Sequence, residues 1–318
     1  MFTAEAVATR LVPPVACLTR MPYTSGPFGD DGRPHPETGW PARDVRCENA
    51  PVIPTLSHGP IEVPRIVTEF AAGRPTLAVW RNGLGGLTFQ VGDGDARQFL
   101  KWTPAGSGID LRAEVVRLRW AAAHTVVPQV LDEGSDESGA WIVTAGLPGR
   151  TAVDDHWKRD PATAVRAIGA GLRALHDELP VADCPFDWSV GRRLAAVRTR
   201  AAAGRIDPAD WHESLRHFGT VERALDVLAD PPPVDRLVVC HGDACAPNTL
   251  IGDDGTCAGH VDLGALGLAD RWADLAIATW STQWNYGPGW EGTLLDAYGV
   301  EPDQERTSYY RLLWDLSD

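Results

Sequence analysis

An α+β chain of two lobes is predicted, a small antiparallel sheet with one helix followed by a larger, mainly helical lobe. Three observations predict it. Short apolar runs at strand spacing, punctuated by glycine, fill residues 77–102. Helical periodicity dominates from Asp160 onward. The 318 residues exceed one small domain and are ample for a sizeable core.

The division follows composition. Residues 1–62 are set apart as an irregular extension, because 21–60 are rich in proline and glycine and hold no lasting periodicity. Residues 63–145 form the first lobe. Strands are expected at 77–81, 89–91 and 97–102, with Gly83, Gly85 and Gly86 between the first two and Gly-Asp-Gly-Asp at 92–95 between the last two. A helix starts at Asp110, an N-cap residue, with Leu111, Val115, Leu118 and Ala122 at helical spacing. A strand at 141–144 ends at Gly146-Leu147-Pro148-Gly149, a hinge.

Residues 146–318 form the second lobe. Asp160-Pro161 opens a helix, with a cap and a first-turn proline, whose core stripe is Val165, Ile168, Leu172 and Leu175. Asp207-Pro208 opens another, carrying Trp211, Leu215, Phe218, Val221 and Leu225 and stopped by three prolines at 231–233. Short strands at 237–240, 249–251 and 260–263 carry the chemistry, and helices finish the chain.

That chemistry lies in His-Gly-Asp-Ala-Cys-Ala-Pro-Asn at 241–248 and His-Val-Asp-Leu-Gly at 260–264. The protein-kinase loop reads H-R-D-x-x-x-x-N and is followed by D-F-G; here the series is H-G-D-x-x-x-x-N and D-L-G. Asp243, expected in an exposed loop just past an apolar strand, can deprotonate a substrate hydroxyl. Asn248 and Asp262 offer hard oxygens to Mg2+ on nucleotide phosphates. Lys101, at the end of a strand, can reach those phosphates, and Glu114 on the following helix can fix it by an ion pair. Missing Cβ atoms at Gly83, Gly85 and Gly86 let backbone N–H groups approach phosphate. A lone Lys–Glu pair or glycine turn is usually incidental; the fixed spacing of Asp243, Asn248 and Asp262 is specific. His241 and Asp274 are expected to brace the loop.

Composition narrows the setting. Hydrophobic content of 44% is ordinary for a soluble protein. No apolar run reaches membrane-spanning length, and the first ten residues carry no basic cluster, so a cytoplasmic location is expected. The six cysteines read as buried thiols; Cys240, His241, Cys245, Cys257 and His260 cluster in sequence without the regular spacing of a zinc site. Net charge is −14, and residues 231–318 hold fourteen acids against four bases. Such a field repels nucleic acid. It serves either as a solubilising surface or as an attractor for a cationic small-molecule substrate. Nothing demands a stable oligomer, and a monomer or weak dimer is expected.

On these residues the chain resembles the aminoglycoside O-phosphotransferases, most closely those acting on a 3′ or 3″ hydroxyl. The loop at 241–248, Asp183-Cys184-Pro185-Phe186 after Ala174-Leu175-His176, and the run from Val261 through Ala276 match three linked signatures, and the likeness extends from about residue 75 to the end. The resemblance implies a two-lobed, protein-kinase-like fold, ATP or GTP with Mg2+, and inactivation of the antibiotic by phosphorylation. It implies Asp243 as base, Asn248 and Asp262 as metal ligands, Lys101 on phosphate braced by Glu114, and the purine against the backbone of Ala145 and Leu147. The chain departs from the family pattern in lacking a loop serine near Leu84, in Ala265 after the D-x-G turn, and in uncharged Trp280 and Ser281 where acids often meet the substrate. Asp315 and Asp318 are the candidates to replace them. A kinase of another hydroxylated antibiotic or metabolite, and a nucleotide-binding module without catalysis, are the rival readings.

Overall fold

The computed structural model describes residues 61–317; residues 1–60 of the extension expected at 1–62, and the candidate Asp318, lie outside them. Helix α1 (Arg65–Ala71) leads into the first sheet and turns Val67 and Ala71 inward. Strands β1 (Thr76–Arg81), β2 (Leu87–Val91) and β3 (Gln98–Pro104) follow, then α2 (Leu111–Ala121), β4 (Val130–Ser135) and β5 (Gly139–Ala145). The sheet runs β1-β2-β3-β5-β4, antiparallel throughout.

Strand alternation sorts the two faces of this sheet. Leu87, Phe89, Leu100 and Val143 join Val67 in one apolar cluster beneath α1. On the other face Ile142 packs with Leu111 and Val115 of α2. Lys101 pairs with Ile142 in register and so lies on the α2 side, next in chain to the buried Leu100. Helix α2 begins where expected: Asp110 Oδ1 accepts from the N–H groups of Arg112 and Ala113.

The chain continues through β6 (Arg150–Thr151), α3 (Asp155–Lys158), α4 (Pro161–Glu178), α5 (Val190–Ala202) and α6 (Val221–Leu228). Next come β7 (Leu237–Cys240), β8 (Thr249–Ile251), β9 (Cys257–His260) and β10 (Gly267–Asp270). Three helices close it: α7 (Trp272–Tyr286), α8 (Glu291–Tyr298) and α9 (Gln304–Ser317). Strands β6, β8 and β9 form one small sheet, and β7 pairs with β10 in another. Every residue of α7 from Trp272 to Thr282 is buried. A helix enclosed on all sides is a core element; α7 packs against α4, α8 and α9 and against the turn at Ala246–Asn248.

Several local expectations are corrected. The helix from Asp207 is broken into 3-10 turns at Pro208–Asp210 and Glu213–Phe218, and α6 restarts after Gly219 at φ 77°. Thr220 caps the restart, its hydroxyl accepting from Arg223 N–H, while Trp211 and Leu215 still reach the core. The strand expected at 260–263 ends at His260, because Asp262 takes a left-handed φ of 63° that no strand can continue. Helices α1 and α5 and strands β4 and β10 were not anticipated; β4 reads Val-Leu-Asp-Glu-Gly-Ser and is an edge strand without an apolar face. Cys184, Cys240 and Cys257 are free thiols, the first two buried.

Candidate active site

Lys101 is held by carboxylates from two directions. Its Nζ lies 2.8 and 2.7 Å from the two Glu114 oxygens and 2.8 Å from Asp262 Oδ1. Burial works to remove the lysine's proton, but the Asp262 and Glu114 carboxylates outweigh it and hold the ammonium charged. Burial raises the Glu114 carboxyl against the pull of Lys101. Asp262 is more open, and the Lys101 charge holds it below the usual carboxylate range. Gly264, two residues on, lies beside the Glu114 side chain: a Cβ there would stand at ordinary contact distance, 3.8 Å, from Glu114 Cβ.

The 241–248 loop hangs from one buried carboxylate. Asp274 Oδ2 accepts from His241 N–H at 2.6 Å and Oδ1 from Gly242 N–H at 2.9 Å. His176 Nε2 lies 2.9 Å from Asp274 Oδ2, and its Nδ1 is 2.8 Å from the Tyr298 hydroxyl. Burial would raise the Asp274 carboxyl, yet these donors together hold it below its ordinary value. His241 Nε2 is 3.0 Å from Val261 O, so that nitrogen carries the proton, and Nδ1 accepts from Asp243 N–H at 3.3 Å. Burial keeps this imidazole neutral. Gly242 is required: it sits at φ 86°, and a Cβ would stand 2.3 Å from Ala265 O.

Asn248 closes the loop over its own start, donating from Nδ2 to Asp243 O at 2.9 Å and to Asp243 Oδ2 at 3.0 Å. Thr249 pairs with His260, and Val261 N–H donates to Asn248 O, so the β8–β9 turn brings Asn248 beside Asp262. Asp243 is buried, with 8% of its surface exposed, which corrects the expectation of an open loop. The loop is short, but α7 packs across it: Ser281 Oγ accepts from Ala246 N–H at 2.9 Å. The result is a carboxylate aimed by a carboxamide, with a second carboxylate and an ammonium alongside. Such a set can take a proton from a hydroxyl and hold a polyanion.

The glycine turn lies between β1 and β2, and Thr88 just beyond it pairs with Lys101. Asn82 shapes this turn. Its Oδ1 accepts from Leu84 N–H at 3.0 Å and Gly86 N–H at 2.7 Å, with Gly85 at φ 85° between them. The hinge follows β5: Ala145 pairs with Gln98 of β3, and the Leu147 side chain approaches Gly259 of β9.

The acceptor side departs from expectation. Asp315 is on α9 among the core residues Leu312, Leu313 and Leu316 and is itself largely buried, its Oδ2 turned away from solvent. Trp280 and Ser281 are also enclosed, Ser281 on the catalytic loop and Trp280 against Trp284, Trp314 and His212. Their lack of charge is therefore a property of the core. Among the described residues, His176, Cys240 and Asp274 are the group close enough to hold a metal ion; the first and last are spent on bracing, and the Cys240 thiol contacts Asp270 O. Sequence reasoning missed Asn82, Tyr298 and Ser281 as supports. Asn82 opening Asn-Gly-Leu-Gly-Gly carried a turn signal, whereas Tyr298 and Ser281 carried none.

The chain matches the model of the phosphotransferase enzyme family over residues 76–310. It is 36% identical over 219 residues to an aminoglycoside 3′-phosphotransferase of Streptomyces fradiae, covering 66% of this chain and 81% of that one. It is 34% identical over 254 residues to a streptomycin 3″-kinase of Streptomyces griseus, covering 76% and 92%. Its fold matches aminoglycoside phosphotransferase APH(3″)-Id of Streptomyces rimosus, solved with ADP and streptomycin, at a TM-score of 0.59 and 27% identity, over 79% and 97% of the two chains.

Proposed function

The chain belongs to the phosphotransferase enzyme family, among its aminoglycoside phosphotransferases, and we propose that it transfers the γ-phosphoryl group of ATP or GTP to the 3′ or 3″ hydroxyl of an aminoglycoside. The observation that carries this reading is the junction of the lobes, where Lys101 and Glu114 of one meet Asp262 of the other beside Asp243 and Asn248.

Asp243 accepts the proton of the attacking hydroxyl, and Asn248 fixes the carboxylate by donating to its Oδ2. Lys101 binds the nucleotide phosphates, for which Asp262 is its present partner, while Glu114 keeps it in place. The Asn248 carboxamide oxygen and the Asp262 carboxylate are an oxygen-only set and suit Mg2+. The ion, when bound, neutralises charge on the phosphates. The glycine turn lies over the phosphates, with Gly83 N–H as its open donor among the described residues because Asn82 holds the Gly85 and Gly86 N–H groups, and Ala145 and Leu147 meet the purine. Dependence on ATP and Mg2+ supports a cytoplasmic reaction. None of the described helices is long and apolar enough to cross a membrane.

The test is nucleotide turnover with and without Mg2+ against kanamycin, neomycin, streptomycin and non-aminoglycoside antibiotics, with mass spectrometry of each acceptor. One phosphate added to an aminoglycoside supports the reading. Transfer only to a different hydroxyl compound favours another acceptor, and nucleotide binding with no transfer to any acceptor contradicts it.

A further inference from the structure

Arg97 makes no ion pair among the described residues. Its guanidinium is spent on backbone carbonyls. Nη1 donates to Gly94 O at 3.0 Å, and Nη2 donates to both Leu147 O and Gly149 O, the latter at 3.2 Å. The Arg97 carbonyl in turn accepts from Gly146 N–H at 2.9 Å. One residue at the start of β3 thus binds three successive parts of the hinge.

The fit is close. A Cβ on Gly146 would stand 2.6 Å from Arg97 Cγ and 2.8 Å from Arg97 O. On the far side, Gly149 has φ 88° and a Cβ would meet Ile251 O of β8 at 2.6 Å. The hinge is therefore clasped by Arg97 from the first lobe and by β8 from the second. Ala145 N–H is also taken, by Gln129 O at 2.9 Å. The Leu147 N–H has no hydrogen-bond partner among the described residues.

We propose that Arg97 is a positioning residue for the nucleotide base: by engaging Leu147 O, Gly149 O and Gly146 N–H, it fixes the hinge so that Leu147 N–H is presented to a purine. This rests on the nucleotide-dependent reading above. Arg97 touches neither phosphate nor acceptor, so its effect is confined to steps that involve the base. The guanidinium occupies one lone pair of Leu147 O, while the Leu147 N–H stays open as a donor.

The test compares ATP, GTP and inorganic tripolyphosphate binding by calorimetry, and steady-state kinetics, in the full chain and its R97A, R97K and G146A variants. R97A and G146A are expected to raise the Kd and KM for the nucleotide by at least about five-fold, with kcat and the acceptor KM within about two-fold. Tripolyphosphate binding is expected to be unchanged, and R97K to fall between. R97K retains the charge on a single donor nitrogen without the guanidinium's fork, so it serves if R97A fails to fold. An unchanged nucleotide Kd overturns the proposal, as does an equal loss for nucleotide and tripolyphosphate. If the unaltered chain binds tripolyphosphate but no purine nucleotide, it is the nucleotide-dependent reading that falls.

Discussion

Lys101 and Asp262 are 161 positions apart in sequence, yet their Nζ and Oδ1 atoms meet at 2.8 Å. The contact joins β3 of the first lobe to the turn after β9 of the second. It depends on a backbone conformation, since Asp262 sits at φ 63°. Asp and Asn tolerate that region better than other non-glycine residues. The left-handed turn at Asp262 therefore goes with the contact to the lysine.

Removing the lysine charge exposes the cost of this arrangement. Lys101→Met leaves Glu114 buried without its cation, a loss toward the low end of about 3–5 kcal/mol because the lysine is partly exposed. Burial already raises the Glu114 carboxyl. In the variant it takes a proton as pH falls, so the destabilisation is expected to be smaller at pH 5 than at pH 8. The double variant K101M/E114Q is expected to regain most of the stability but none of the turnover. Denaturant titrations at both pH values check this.

The loop brace is the second test. Asp274→Ala removes the acceptor for His241 N–H, Gly242 N–H and His176 Nε2 at once. Each buried donor left unpaired costs about 1–3 kcal/mol. A fall in melting temperature of several degrees is expected together with a loss of kcat of at least about 100-fold, since the Asp243 carboxylate loses its fixed position. Asp274→Asn, which keeps one acceptor, is expected to lie between.

Asn82 is expected to govern the glycine turn rather than the fold. Asn82→Ala frees Leu84 N–H and Gly86 N–H from Oδ1 at an exposed turn, so its effect on stability is about 1 kcal/mol or less. The expected result is a raised nucleotide KM with an unchanged melting temperature. Kinetics at fixed acceptor concentration measure it.

Acid should weaken the fold through its buried histidines. Burial holds His260 down to about 3 and His212 to about 4, and lowers His241 as well. Below pH 6.5 the unfolded chain takes up protons that the folded chain refuses, so stability falls as pH drops from there towards the folded values. Each such group contributes at most about 1.4 kcal/mol per pH unit. Melting curves from pH 7.5 to 4.5 should show the decline, and His260→Gln should flatten it.

Much of this was legible in the sequence because the chemistry is local. Asp243 and Asn248 are five residues apart, and Asp262 opens a turn after a short strand, so their grouping follows from the order of elements. Lys101 and Glu114 were legible because strand and helix periodicity put both on one face. The supports were legible only in part: Asp274 was expected to brace the loop, but His176 and Tyr298 come from two other helices and only packing brings them to it. Asp315 was proposed from the family resemblance, and its burial in α9 comes from packing that the sequence does not show. Arg97 looked like any strand residue, since its role lies in carbonyls 50 positions away.

The most direct measurement is the rate of phosphate transfer to an aminoglycoside by the Asp243→Asn variant, with nucleotide affinity measured alongside. Asparagine preserves the size of the side chain but cannot accept the hydroxyl proton as a base. The expected result is unchanged nucleotide Kd with kcat reduced by at least about 100-fold. Turnover near that of the unaltered chain would contradict the assignment of Asp243 and, with it, the proposed mechanism.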